Sequence, residues 1–330
     1  MAQRQSWLKG AAGALFGLGA YAALSSHDAI VKVLGGTYSP VQIVFFGALL
    51  AFPFITIYLI SDPTPRKLRP VHPGWLGARS IAATMSAVCA YFAFTTLPLS
   101  EAYAFIFSTP LLITLLAVPI LGETIRLRRG IAVAVGLLGV LIVLNPGASS
   151  LGLGHLAAIC AAFLAAFNAI VVRKISNDEH VVVMVLYPML TNLAISAVIL
   201  PFVYVDVQLV HFGMFAMVSA LVLLGMSMLV VAYSRAPAIM VAPMQYSQIL
   251  WGVLFGVLLF DEFPSWNTFV GAVVIVASGI YILKREAQPN VSRSTPVLST
   301  KTRGGHPVSL RVGSMMRMRE PKSTEHEAQK

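Results

Sequence analysis

"FAFTTLPLSEAYAFIFSTPLLITLLAVPILGE", residues 92–123, lies over "VAYSRAPAIMVAPMQYSQILWGVLFGVLLFDE", residues 231–262, without a gap when the chain is shifted by 139 residues (92 onto 231). The shift sets Ala93 on Ala232, Pro98 on Pro237, Ser108 on Ser247 and Glu123 on Glu262. A shift of 140 (28 onto 168) lays "DAIV" on "NAIV" and sets Asp28 on Asn168. Apolar matches alone arise easily by chance in hydrophobic sequence. The coincidence of proline, serine, glutamate and the tetrad is harder to produce that way, so the chain reads as two copies of one unit.

Each copy is apolar. The 330 residues are 57% hydrophobic and 11% charged, against about 25% charged in a soluble domain, and mean hydropathy is +0.80. Apolar stretches over 11–31, 39–60, 74–97, 99–121, 127–145, 152–173, 181–203, 211–232, 238–260 and 265–284 each approach the roughly 20 residues that cross a bilayer. This predicts an all-α membrane protein of ten transmembrane helices, five per copy. An odd number of spans makes the second copy enter the membrane from the opposite side, so the two five-helix repeats are inverted. The predicted units are 11–146, 152–284 and a basic tail, 285–330.

Charge orients these spans. Loops around 61–73, 122–130, 173–180 and 233–237 hold Arg66, Lys67, Arg69, Arg126, Arg128, Arg129, Arg173, Lys174 and Arg235, whereas the alternate loops hold almost no cation except Lys32. Cytoplasmic loops carry the Lys/Arg excess, which puts both termini in the cytoplasm, as an even span count does independently. The net charge of +10 does not point to nucleic acid, because residues 284–330 alone hold ten Lys/Arg against four Asp/Glu. That tail, rich in Ser, Thr, Pro and Gly, is expected to stay disordered. Its "NVS" at 290 falls on the cytoplasmic side, where glycosylation is not expected. Arg4, Lys9 and "AYA" at 20–22 resemble a signal peptide, but cleavage there would delete a span that has a partner in the second copy. Cys89 and Cys160 lie inside spans and form no disulfide or metal pattern.

The stretch "LSEAYAFIFSTPLLITLLAVPILGE" leading into "LRRGIAVAVGLLGVLIVLNPG", together with "DAIVK" in the first span, resembles the drug/metabolite transporter superfamily, in its ten-helix form with two EamA-type halves. The resemblance covers about residues 11–284. The second half departs from it, with Asp261 in place of the Gly before the Glu and "LKR" in place of "NPG". The resemblance implies a carrier of small metabolites in a bacterial cytoplasmic membrane, without a cofactor. Within the family the reading leans towards flat heterocycles such as riboflavin, with amino-acid or drug exporters as the alternative.

Carriers built from inverted repeats bind cargo near the midplane between the halves, so polar side chains inside spans are the candidates. In "SSHDAIVK", Tyr21, Ser25, Asp28 and Lys32 are spaced four, three and four and share one face. Asp28 and Lys32 can pair with each other, or sit near the outer end of the helix and hydrate there; otherwise they act as a gate or proton-linked group. His27, adjacent to Asp28, is expected on a different face, and imidazoles titrate near neutral pH. In the fourth span Tyr103, Phe107, Pro110 and Thr114 form a second stripe, and Pro110 frees a backbone carbonyl. In the ninth span Gln245, Gln248 and Trp251 follow at threes, two amides and an indole suited to an amphipathic cargo with a flat face. Helix–helix hydrogen bonding accounts for them equally well.

The expected cargo-binding set is therefore Tyr21, Ser25, Tyr103, Phe107, Asn168, Gln245, Gln248 and Trp251. The gating or proton-linked set is His27, Asp28, Lys32 and Arg79. Arg79, five residues inside the third span, is expected to snorkel to the interface. Glu101 suits a helix start, Glu123 and Glu262 close equivalent helices, and Gly136 and Gly139 suit close helix packing.

The sequence shows no HExxH, metal pair, nucleophile elbow or nucleotide-binding loop, which argues against an enzyme and against ATP as the driving force. A lipid-linked sugar flippase is the alternative from another class. It needs a cationic phosphate site, to which only Arg79 points. The implied partners are a small-molecule cargo and the bilayer, and a homodimer is left open.

Overall fold

Proline and left-handed caps set the helix boundaries at matching places in the two copies. Pro98 forces an extended residue before it, and the third span stops there. Gly122 (φ 71) and Asp261 (φ 53) stand opposite each other in the shift of 139 and both take the left-handed conformation at a helix end. Aspartate is among the few side chains that visit this region readily, so the substitution noted in the sequence leaves the cap intact.

The structure, a computed structural model, describes residues 2–60, 69–122, 127–145, 152–176, 178–236 and 241–286. Glu123, Arg66, Lys67, Arg126 and the tail from 287 lie outside them. All the described secondary structure is helical: α1 (Ala2–Leu34), α2 (Pro40–Ile60), α3 (Pro73–Thr96), α4 (Leu99–Ile106), α5 (Thr109–Leu121), α6 (Leu127–Leu144), α7 (Leu153–Ile175), α8 (Val181–Val203), α9 (Leu209–Arg235), a 3₁₀ segment (Ala242–Tyr246), α10 (Ser247–Phe260) and α11 (Trp266–Glu286). Among the described residues, six stretches are long and apolar enough to cross a membrane, including Leu99–Leu121 and Ala242–Phe260, and three apolar helices are shorter.

Packing between the copies is reciprocal. α1 lies along α9 as α3 lies along α7, α2 meets α8, and α6 meets α11. Single residues repeat the pattern. Ser278 donates its hydroxyl to Ala132 O, while a Cβ on Gly139 would stand 3.0 Å from Gly271 O. In the shift of 139, Ala132 corresponds to Gly271 and Gly139 to Ser278, so exchanging the copies exchanges the two contacts. A Cβ on Gly136 would strike Leu111 at 2.5 Å, so Gly136 and Gly139 do serve close helix packing. The largest buried cluster joins α1, α3, α4, α7 and α9 around Tyr103, Phe105 and Phe215.

The fourth and ninth spans, expected as single helices, are each interrupted. Pro110 cannot donate to the carbonyl four residues back, and the Thr109 hydroxyl takes that place by donating to Ile106 O at 2.5 Å. The chain turns at Phe107–Ser108 between α4 and α5. In the second copy the 3₁₀ segment, with Pro243 in its first turn, gives way to α10 at Tyr246–Ser247. Phe107 and Tyr246 are equivalent in the shift, and so are the two serines.

Candidate functional site

α1 carries His27 and Asp28 into the interior, both with no exposed surface. The expectations that they face different ways, that Asp28 hydrates at a helix end, and that it pairs with Lys32 are all corrected. The imidazole folds along the helix, placing Nδ1 2.7 Å from Asp28 Oδ1. Tyr103 on α4 donates its hydroxyl to Asp28 Oδ2 at 2.7 Å. The Tyr91 hydroxyl on α3 lies 3.1 Å from His27 Nε2. An ionised carboxylate only accepts, so Nδ1 then carries a proton, and in neutral imidazole Nε2 accepts from Tyr91. A charge in an apolar interior persists only when hydrogen-bonded in this way.

Lys32 turns away from this group. Its Nζ stands 2.6 Å from Glu262 Oε1, donates to Leu97 O at 2.6 Å and lies 5.2 Å from the centre of the Phe260 ring. The other Glu262 oxygen accepts from the Leu99 N–H at 3.4 Å. One ion pair thus ties the end of α1 to the α3–α4 junction and the end of α10. Glu262 wins over Asp28 because its position beside Leu97 lets the ammonium satisfy a carboxylate and a carbonyl together, whereas the Asp28 oxygens already accept from His27 and Tyr103.

Aromatic rings lead from Asp28 to the helix breaks. Phe94 and Tyr103 are 5.6 Å apart, Tyr103 stacks on Phe107 at 5.9 Å, and Phe107 meets Tyr246 edge-on at 5.5 Å. The Tyr103 ring lies against Gly252 of α10, where a Cβ would come within 2.5 Å of its edge. Glycine there is what lets α4 approach α10 closely enough for the hydroxyl to reach Asp28.

The other expected residues divide. Tyr21 hydrogen-bonds Tyr233 and packs with Leu24, Val222 and Met226 in the α1–α9 seam, so it serves helix packing there. Ser25 is buried and its Oγ has no partner among the described residues. Asn168 is buried and its Oδ1 has none either. Gln248 is buried, while Gln245 and Trp251 are half-buried. The Trp251 ring stacks on Phe255 at 6.3 Å, and its Nε1 is unpartnered. Arg79 does not snorkel. It is 3% exposed and donates to Met184 O of α8 at 2.7 Å, so the guanidinium is held within the helix pair. Glu101 pairs with His155 of α7 at 3.0 Å.

Two cavities border these groups. His27, Tyr91, Ser219 and Met189 face a small space of about 20 Å³ between the copies, room for about one water molecule. A cavity of about 560 Å³ opens beside the second helix break, lined by Tyr246, Ser247, Ser100 and Phe269 among mostly apolar groups. Its lining takes in Ile249, Leu250 and Val253 of α10 but none of Gln245, Gln248 and Trp251.

Sequence reading missed Tyr91, Gly252 and the pairing role of Glu262. The self-alignment held a signal for the first. Tyr91 falls opposite Val230, so comparing the copies position by position for polar groups present in only one would have found it.

The EamA-like transporter family model matches residues 11–145 and again 152–284. The chain belongs to the EamA-like transporter family. EamA-like relatives include an S-adenosylmethionine uptake transporter of Rickettsia conorii, 25% identical over 267 residues, covering 79% of this chain and 89% of that one. The pseudopaline exporter CntI of Pseudomonas aeruginosa UCBPP-PA14 is 28% identical over 259 residues, covering 78% and 90%. An uncharacterized transporter of Helicobacter pylori J99 is 27% identical over 267 residues, covering 77% and 89%. A crystal structure shares the fold with a TM-score of 0.55 at 17% identity, over 84% of this chain and 100% of its own. The protein is thus a multi-pass membrane transporter of a small-molecule family.

Proposed function

We propose that this EamA-like protein is a secondary carrier of small organic metabolites in the bacterial cytoplasmic membrane. In this reading it has ten spans in two inverted five-span units, 11–146 and 152–284, both termini in the cytoplasm and a basic cytoplasmic tail. The observation that carries the reading is the pair of helix breaks at one register, where equivalent residues Phe107 and Tyr246 meet. Carriers with inverted repeats place discontinuous helices at the cargo site, and two like halves that touch at such a point can exchange conformations to expose it alternately. The reciprocal contacts of α1 with α9 and α3 with α7 support the inversion. Cargo meets Asp28, Tyr103 and Phe107 from the first copy and Asn168, Gln245, Gln248 and Trp251 from the second, while Lys32 and Arg79 hold helices at the two ends.

The relatives named for S-adenosylmethionine uptake and pseudopaline export put those compounds ahead of riboflavin as first cargoes to try, and they support transport in either direction. The flippase alternative rests on Arg79, whose guanidinium keeps its charge while donating from one nitrogen to Met184 O, and the lipid arm of the test below addresses it.

The test is flux of labelled S-adenosylmethionine, riboflavin and aromatic amino acids in proteoliposomes, with and without a pH gradient. Saturable flux of at least one is expected, and Gln248→Ala lowers it without lowering protein levels. Translocation of labelled lipid with no flux of any small solute overturns the carrier reading. With Cys89 and Cys160 replaced, Glu123→Cys and Phe263→Cys label from opposite faces; labelling from one face overturns the inversion.

A further inference from the structure

The cavity of about 560 Å³ beside the second helix break plays no part in the carrier reading. We propose that it is a binding site for a neutral, apolar carbonyl compound that enters from the hydrocarbon core of the bilayer. The site is separate from the cargo residues named above, and it stands or falls independently of transport.

The space comes from a difference between the copies. In the first, Leu111 of α5 is buried and packs with Val133 and Leu137 of α6. The shift of 139 puts Leu250, Ala272 and Val276 at those positions, and all three line the cavity. The two α11 residues are smaller than their equivalents, so the α10–α11 seam is left unfilled and Leu250 is exposed where Leu111 is buried. Phe269 and Val273, also in the lining, are exposed too. On helices that cross a membrane such apolar surface meets lipid tails, which a molecule dissolved in them can leave without passing a polar barrier. None of the described residues lining the cavity is charged, so an ion would lose its hydration there with nothing to replace it.

Two hydroxyls in the wall select for an oxygen acceptor. Ser108 in the first copy donates to Phe105 O at 2.7 Å, whereas its equivalent Ser247, in the cavity lining, has no partner for Oγ among the described residues. Tyr246, 9% exposed and also in the lining, has none for its hydroxyl. That hydroxyl lies against Gly279 of α11, where a Cβ would collide with it. The equivalent pair in the first copy is Phe107 and Val140, so the oxygen and the room for it occur together in the second copy. A buried hydroxyl without a partner is costly, and a carbonyl oxygen accepts from one. Depth sets the source of that carbonyl. The Tyr246 ring meets Phe107, which stands eight residues past Leu99 in its span. That is about 12 Å along, close to the middle of a hydrocarbon core of about 30 Å. Phospholipid ester carbonyls stay in the interfacial region outside that core. An acyl chain would fill the space and leave the hydroxyls unmet; a free carbonyl compound does both.

The experiment is photolabelling of the full-length protein in lipid nanodiscs with benzophenone, a neutral ketone that inserts into nearby C–H bonds under near-ultraviolet light. Saturable labelling is expected on the peptides carrying Ile249–Val253 or Phe269–Ile280, located by mass spectrometry. Cyclododecanone should protect at a concentration at least about threefold lower than cyclododecane, the same ring without the oxygen, at equal membrane concentration. Tyr246→Phe combined with Ser247→Ala, which removes two oxygens and keeps the shape, should make the two rings protect equally. Val253→Phe and Val276→Phe narrow the cavity from opposite walls, and each should cut saturable labelling at least about fivefold; either one that folds gives the test. Labelling that does not saturate, or that persists in the narrowed variants, overturns the proposal. Equal protection by both rings in the unaltered protein marks a groove for acyl chains and overturns it too, as does a ketone preference that survives loss of both hydroxyls. Solute flux without saturable labelling removes this site and leaves the carrier reading; labelling without flux does the reverse.

Discussion

The two copies share a scaffold and differ in chemistry. In the first, His27, Asp28, Tyr91 and Tyr103 form one buried hydrogen-bonded group. The equivalent positions in the second are Phe167, Asn168, Val230 and Ala242. The exchange extends to volume: Tyr103 rests on Gly252, and their equivalents Ala242 and Ile113 reverse large and small. Helix ends, breaks and interhelical seams meanwhile repeat faithfully. The shared contacts therefore follow the duplication, and this one buried hydrogen-bonded group belongs to the first copy alone among equivalent positions.

The sharpest way to break this contrast is to give the first copy the residue of the second. Asp28→Asn removes the charge and leaves Tyr103 and His27 facing an amide. A hydrogen bond to a charged group contributes about 1.5–3 kcal/mol, against about 0.5–1.5 kcal/mol for a neutral one, so flux should fall at least about tenfold, read at matched protein levels. Uptake per mole of reconstituted protein measures it.

Gly252→Ala comes next. Its methyl would come within 2.5 Å of the Tyr103 ring, and overpacking costs about 1–3 kcal/mol. Flux should drop about tenfold as the hydroxyl leaves Asp28. Combining it with Tyr103→Leu should recover thermal stability in detergent but not flux, which separates lost packing from lost chemistry.

A smaller effect is expected at the Lys32–Glu262 pair. Lys32→Met and Glu262→Gln should each change the transport rate about fivefold, and the double variant should be no worse than either alone. Additive losses would show that the pair does not act as a unit. The smallest effect belongs to the second copy: Asn168→Leu removes an uncharged amide whose Oδ1 has no partner among the described residues, and flux should fall only about threefold, since a neutral hydrogen bond contributes about 0.5–1.5 kcal/mol. A loss comparable to that of Asp28→Asn would erase the contrast between the copies.

Much of the fold was legible in the sequence because it depends on one-dimensional signals. Helix limits near 60, 97, 121, 203 and 260 follow apolar length, proline and the caps at Gly122 and Asp261. The breaks inside the fourth and ninth spans were not legible as breaks. Hydropathy runs straight through Phe107 and Tyr246, and Pro110 alone would have permitted a kinked but continuous helix.

The site was half legible. Spacing marked Asp28, Tyr103 and Phe107, since each stands out on an apolar face. Partners across helices are set by interhelical approach, which one strand of sequence does not encode. That is why Lys32 was matched with Asp28 four residues away when Glu262, far along the chain, is its partner. It is also why Tyr91 and Gly252 went unnoticed, and why Arg79 was sent to the interface when a carbonyl lay within reach.

The clasp between Lys32 and Glu262 is not repeated at its own register, because the residue matching Lys32 in the other copy is Val172. Its side chains are 10% and 23% exposed, enough for mobile ions to reach them, and in 0.15 M salt such ions screen over about 8 Å. Raising the ionic strength of the compartment that the clasp faces is expected to loosen it. A carrier of the kind proposed above would then divide its time between two conformations according to the salt on that side of the bilayer.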